Sequence, residues 1–391
     1  MRPYNFLEFN FIIPKLKLAV PKETKEKENR VALTPDVVKS LVNAGFECLI
    51  EKSAGLNSYF SDDAYANAGA TIIPDSKTLY GQADVVLKVN APSSAEISMM
   101  KSDAILISYM WATVNPDLVK ALVDKGISGF SMDAIPRISR AQKMDALSSQ
   151  SNLAGYKTVI MAADTIGKIF PLMMTAAGTI KPVKVVIMGA GVAGLQAVAT
   201  AKRLGAIVEV SDIRPETKEQ VESLGGKFIE LKGDDSIKTE GGYVKSVSED
   251  FLKKQQELLF KHISDADIVI TTALIPGKKA PVLVTEDMVK SMRFGSVIVD
   301  MAVEQGGNCP LSELNKTVIK HGVTIIGESN LPSLLPMNAS ELYARNIQAF
   351  LLHLATKDGF KWEMEEEITK GSLIAHKGEI VHPSLAKPIT A

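Results

Sequence analysis

The residues with the clearest capacity for chemistry lie at 183–194, Val-Lys-Val-Val-Ile-Met-Gly-Ala-Gly-Val-Ala-Gly, an apolar strand pattern running into G-x-G-x-x-G and then the helical stretch Leu195–Leu204. In that context Gly189 allows a tight turn, Gly191 lets a pyrophosphate approach the main chain, and Gly194 permits close helix–strand packing. Ala190, Val192 and Ala193 complete the candidate cradle, and the phosphate charge would rest on the N–H groups and positive dipole end of the helix. Asp212 ends the next strand, where a carboxylate accepts hydrogen bonds from both ribose hydroxyls and repels a 2′-phosphate. The pattern therefore favours NAD(H) over NADP(H). Ile213 and Arg214 follow; an arginine there can accept a 2′-phosphate, but with the carboxylate at the strand end Arg214 is expected to be solvated or stacked near the adenine.

Such a turn needs a parallel sheet beneath it. Strand candidates at Val183–Met188, Ile207–Ser211, Lys227–Glu230, Asp267–Thr271, Ser296–Asp300 and Val323–Ile326 make six in a row, enough for a complete dinucleotide-binding domain. Upstream, Leu16–Glu23, Glu47–Glu51, Val85–Val89, Ala104–Met110 and Ile127–Met132 alternate with helical stretches, the rhythm of βαβ units. Asp145–Thr175 reads as a long helical connector interrupted or ended near Pro171, and Ser340–Ala355 as a helix leading into the charged Glu363–Glu367. The terminal piece is too small to fold alone. The expected fold is α/β: two doubly wound parallel-sheet, Rossmann-like domains separated by a cleft. The first is expected to be discontinuous, 1–150 plus 338–391, and the second to span 151–337.

Composition narrows the partners. A chain of 391 residues exceeds what one core usually serves, and 46% hydrophobic with 23% charged residues is an ordinary globular balance. Lys and Arg number 44 against 45 Asp and Glu, so no net field draws the chain to nucleic acid or anionic lipid. Cys48 and Cys309 form no metal-ligand or redox spacing, so no metal is expected and a reducing cytosol fits best. No apolar run reaches the length of a membrane span. Residues 1–15 carry Asn5, Glu8 and Asn10 within their apolar stretch and lack a cleavage site, so they read as an extension and not a signal peptide.

Several segments resemble a known family. Pro21-Lys22-Glu23-Thr24 with Glu28-Asn29-Arg30-Val31-Ala32-Leu33-Thr34-Pro35 is similar to the N-terminal motif of alanine dehydrogenases and transhydrogenase alpha subunits. The stretch Arg137–Tyr156 resembles the transhydrogenase loop that contacts the nicotinamide side, which makes Arg137, Gln142, Asp145 and Ser148 the implied catalytic-loop residues. Further matches at Lys218–Gly226, Thr271–Lys278 and Glu304–Pro310 bring Thr272, Ala273, Leu274 and Asn308 into the implied cofactor site; Gly242 and Tyr243 resemble a mobile loop that closes over nucleotide. The resemblance is to the NAD(H)-binding alpha subunit of proton-translocating nicotinamide nucleotide transhydrogenase. It implies a homodimer, peripheral on the cytoplasmic face of a membrane, with NADP(H) on a partner subunit and further subunits spanning the bilayer.

Alcohol and amine dehydrogenases must remove a proton as hydride leaves, often with a histidine near the nicotinamide. Here the histidines are His262, His321, His353, His376 and His382, none in the first 261 residues. The resemblance to alanine dehydrogenases aligns their substrate-holding residues with Arg30 and Lys88. It sets Trp111 where they carry histidine and Glu304 where they carry aspartate. Arg30 and Lys88 are then expected to be relics of a substrate pocket or structural ion pairs. Transfer between two nicotinamides releases no proton, so orientation and exclusion of water would suffice. A stand-alone amino-acid dehydrogenase and a catalytically silent nucleotide sensor are the competing readings.

Overall fold

Runs such as Val185-Val186-Ile187-Met188 are apolar at every position, which suits strands covered on both faces. A computed structural model describes residues 16–229, 238–240, 243–246, 249–274, 278–356 and 359–385. The chain divides into two units, one reaching Gln150 and resuming at Leu335, the other Ser151–Leu334. Each is built on a doubly wound, mainly parallel sheet.

In the first unit the eight-stranded sheet has its described strands in the order Glu379–Ile380, Leu373–His376, Ser128–Ser131, Ile105–Ser108, Val85–Leu87, Lys17–Val20, Glu47–Glu51, Thr71–Ile73. Pairing is parallel from Ser128–Ser131 to Thr71–Ile73, and antiparallel where Leu373–His376 and Glu379–Ile380 join. Alternation gives each face its own core: Leu18, Val20, Ile50 and Leu87 on one side, Ala19, Leu49, Val86 and Leu106 on the other. The helix Pro336–Leu354 supplies Tyr343, Ile347, Phe350 and Leu354 to the first of these cores.

The second unit orders Lys227–Phe228, Ile207–Ser211, Lys184–Met188, Ile268–Thr271, Val297–Asp300, Val323–Ile326 and, antiparallel at the edge, Thr317–Lys320. Both sheets run outward from their first strand in one direction and then return to its other side. Each therefore has a switch point, between Lys17–Val20 and Val85–Leu87 and between Lys184–Met188 and Ile268–Thr271, where open α/β sheets hold ligands.

One expectation needs correction. The connector helix spans Ala146–Thr165, and Met173–Thr175 pairs with Gly178–Ile180 as an exposed antiparallel hairpin instead of continuing it. Gly167 disfavours helix and Pro171 cannot donate to it, so the apolar stretch after them is released to pair with itself. The edge strands Thr71–Ile73 and Thr317–Lys320 and the strand Leu373–His376 had no counterpart among the expected elements. Residues 1–15, Glu230, Gly242 and Ile275-Pro276-Gly277 lie outside the described residues, as does the side chain of Tyr243.

Candidate nucleotide site

The glycine turn sits at the switch point of the second sheet, between the strand Lys184–Met188 and the helix Val192–Arg203. Gly189 adopts φ +109°, a conformation that side chains rarely take. A Cβ at Gly194 would overlap the Gly189 carbonyl, whereas one at Gly191 would meet nothing within 4 Å. The turn is thus packed from below and open where a phosphate would approach. Val192 and Ala193 begin the helix, and its first N–H groups have no intrahelical partners. Gly155, on the connector helix, lies so close to the Ala193 carbonyl that an added Cβ would overlap it.

Asp212 is tied to this turn. Its Oδ2 accepts from the Ala190 N–H at 2.6 Å, and its Oδ1 accepts from the main chain of Arg214 at 2.8 Å. The Arg214 guanidinium folds back on the same carboxylate through Nε and Nη2, both at 2.9 Å, with half-buried Ile213 between. This corrects the expectation that Arg214 would be solvated: two residues apart on a tight turn, the fork and the carboxylate reach each other directly.

Across the switch point Thr272 Oγ1 bonds the Gly189 carbonyl at 3.2 Å, and Leu274 is exposed. Ala273 is held through both its main-chain groups by Asn308: its N–H donates to Asn308 Oδ1 at 3.2 Å, and Asn308 Nδ2 donates to its carbonyl at 2.9 Å. Asn308 Nδ2 also reaches the Pro281 carbonyl at 2.8 Å. Asn308 is fully buried, so its carboxamide acts on main chain. The strand pair 238–240 and Tyr243–Ser246 forms a separate two-stranded ribbon.

Arg137, Gln142, Asp145 and Ser148 belong to the first unit, on and around the 3-10 turn Ser139–Met144 and the start of the connector helix. Asp145 accepts from the Ser148 N–H at 2.9 Å and from its hydroxyl at 2.6 Å, the geometry of an N-terminal cap. Arg137 and Gln142 are exposed. Asn346, on the helix Pro336–Leu354, clamps the turn by donating to the Lys143 carbonyl at 2.8 Å and accepting from Ser149 Oγ at 2.7 Å. Nothing in the local pattern pointed to Asn346, because its partners lie about two hundred positions away.

At the first sheet's switch point lies a buried charge cluster. Arg30 bonds Glu28 through Nε at 2.8 Å and Nη2 at 2.7 Å, and Gln150 through Nη1 at 2.9 Å. Lys88 is fully buried between Glu96 at 2.7 Å and Glu23 at 3.6 Å, and Tyr80 donates to the same Glu96 oxygen. Burial by itself would raise the Glu28 carboxyl, but the Arg30 charge and hydrogen bonds overrule it and hold its pKa at about 2. Burial prevails at Glu23, whose pKa is raised despite Lys88. Both cations are thus paired with carboxylates inside the first unit. Trp111 takes φ +50°, stacks on Tyr109 with ring centroids 6.0 Å apart, and stays partly exposed. Asp133, unnoticed in the sequence, fixes that turn by accepting from the N–H groups of Met110 and Trp111.

Comparison with known proteins accords with this arrangement. The model of the alanine dehydrogenase/PNT N-terminal domain matches residues 19–154, and that of the C-terminal domain matches 158–383. The chain belongs to this family. It is 51% identical over 380 residues to an NAD(P) transhydrogenase subunit alpha polypeptide of Rhodospirillum rubrum, covering 95% of this chain and 99% of that protein. It is 31% identical over 380 residues to the alanine dehydrogenase of Methanococcus maripaludis, covering 95% of each. The crystal structure of transhydrogenase from Sinorhizobium meliloti superposes with a TM-score of 0.85 at 44% identity, over 93% of this chain and 100% of that one. Within the family the chain therefore lies nearer to these transhydrogenases than to that alanine dehydrogenase. No helix among the described residues is long and apolar enough to cross a membrane.

Proposed function

We propose that the chain is the NAD(H)-binding subunit of a proton-translocating, Re/Si-specific NAD(P)+ transhydrogenase, active with partner subunits. The carrying observation is the Gly189–Gly194 turn, open at Gly191 and bonded at Ala190 to a carboxylate on the adjacent strand end. That donor set fits a dinucleotide: N–H groups at a helix start for the pyrophosphate, and Asp212 for a ribose diol. Bound NAD(H) would supply or accept hydride, exchanged directly with NADP(H) on a partner subunit.

The chain's own residues then bind and orient. Gly189, Ala190, Gly191, Val192, Ala193 and Gly194 cradle the phosphates, and Asp212, Ile213 and Arg214 form the ribose corner. Thr272, Ala273, Leu274 and Asn308 shape the wall beside it, and Gly242 and Tyr243 close over the nucleotide. Gln142 places the nicotinamide ring, while Arg137, Asp145 and Ser148 fix its loop and carboxamide. Trp111 cannot shuttle a proton, which suits a reaction that releases none. The assembly is a homodimer on the cytoplasmic face, joined to NADP(H)-binding and membrane-spanning subunits that couple transfer to proton translocation; nucleic acid has no part.

The test is reconstitution. The chain alone should bind NADH yet form no NADH from NAD+ and alanine, and adding an NADP(H)-binding component should restore transfer between nucleotides. In that system Gln142→Asn should lower the hydride-transfer rate on the order of 100-fold with little loss of NADH affinity, since misplacement by about 1 Å costs that much. Robust alanine-dependent NADH formation by the chain alone would overturn the reading. Equal losses in rate and binding would demote Gln142 to a ligand contact.

A further inference from the structure

Asp300 ends the strand Val297–Asp300 and is completely buried, and no cation pairs with it among the described residues. Five donors converge on it instead. Oδ1 accepts from Thr271 Oγ1 at 3.1 Å and from the N–H groups of Ala302 and Asn308 at 3.0 and 3.1 Å. Oδ2 accepts from the Cys309 N–H at 3.0 Å and from Ser312 Oγ at 2.7 Å. Main-chain N–H groups curled around an anion form a nest, with the anion here supplied by the protein itself.

The loop so gathered has one conspicuous product, the Asn308 carboxamide held against both main-chain groups of Ala273. Ala273 follows Thr272, whose hydroxyl bonds the Gly189 carbonyl at the centre of the glycine turn. An unbroken series of direct contacts thus leads from a buried carboxylate to the turn.

We propose that Asp300 is a positioning residue for the NAD(H) site: it anchors the 302–309 loop, sets Asn308, and through Asn308 fixes the Thr272–Ala273 main chain against Gly189. The inference rests on the NAD(H) reading above and names a residue which that reading does not use.

The experiment combines calorimetric NADH titration with amide hydrogen exchange on the full chain. Asp300→Asn keeps the side chain's shape but turns one acceptor into a donor facing N–H groups. It should weaken NADH binding about ten-fold and speed exchange at Ala273, which Asp300 does not touch, while sheet amides such as Val186 and Ile270 stay protected. Asn308→Ala should weaken binding similarly, and the double variant should be no worse than either single one, the mark of residues acting in series. If Asp300→Asn does not fold, Ser312→Ala removes a single donor and should give the same pattern at about a few-fold. Additive losses, unchanged affinity in a folded variant, or loss of protection spread evenly over the sheet would overturn the proposal. Wild-type protein that fails to bind NADH overturns the underlying reading as well; wild-type binding with indifferent variants overturns the Asp300 role alone.

Discussion

Replacing Asp212 with alanine removes a carboxylate that performs two tasks in the free protein and a third in the proposed complex. In the free protein it accepts the Ala190 N–H at 2.6 Å and receives the Arg214 fork. Hydrogen bonds to a charged group contribute about 1.5–3 kcal/mol each, and the Arg214 pair, whose carboxylate is only 6% exposed, loses its anion as well. Some of that loss falls on stability. Binding loses the charge-assisted ribose bonds and the pre-set Ala190 main chain, roughly 1–3 kcal/mol, or about 5- to 150-fold in Kd. Calorimetry should show the full loss with ADP-ribose too, because the missing contact is on the adenosine side. The preference for NADH over NADPH should narrow, since the repulsion of a 2′-phosphate goes with the carboxylate. Unchanged NADH affinity, or a loss seen with NADH but absent with ADP-ribose, would refute the reasoning.

Other expectations follow from the same geometry. Gly155→Ala would ordinarily stabilise a helix by about 0.5–1 kcal/mol, but its Cβ would overlap the Ala193 carbonyl, so the net effect should be destabilisation of about 1–3 kcal/mol with weaker NADH binding. A higher melting temperature with unaltered affinity would contradict it. Glu28 has its folded pKa depressed to about 2 from 4.5, so it contributes stability above the unfolded value that is lost as pH falls from about 4.5 towards 2. Glu28→Gln should therefore be destabilised at pH 6 by about 3 kcal/mol, and the gap in urea midpoints should shrink below about pH 4.5 and close only as the pH approaches about 2; a gap independent of pH would exclude the mechanism. The purified chain should sediment as a dimer at micromolar concentration, and a mass near the 42.2 kDa monomer would count against the proposed assembly.

The glycine turn was readable because its chemistry is local: a strand, three glycines at fixed spacing and a carboxylate at the next strand end need no distant partner to be recognised. Arg214 was misjudged for the opposite reason. Its nearest anion is two residues away, but only the shape of the turn decides whether the fork reaches it. Asp145 and Ser148 form a helix cap that their three-residue spacing allows, whereas Asn346 and Asp133 act through bonds to residues far away in the sequence. The apolar hairpin at 173–180 shows a further limit, since Leu, Met and Ala suit a helix until Gly167 and Pro171 interrupt it. Leu373–His376 opens with only three apolar residues and becomes a strand because Ser128–Ser131 offers it an edge.

That last strand bears on how the chain comes off the ribosome. Synthesis proceeds at about 5–20 residues per second, and domains fold as their residues emerge. The sheet that begins with Lys17–Val20 waits for the helix Pro336–Leu354 to fill its core and for Leu373–His376 to cover the Ser128–Ser131 edge. All of Ser151–Leu334 is translated in between, so the unit that starts second has its whole sequence available first. During that interval the nascent chain carries a bare strand edge and an incomplete apolar face, the features that recruit chaperones and drive mispairing. Ribosome-bound chains arrested once Leu334 has just emerged from the ribosome should therefore be protease-resistant over Ser151–Leu334 and digestible before it.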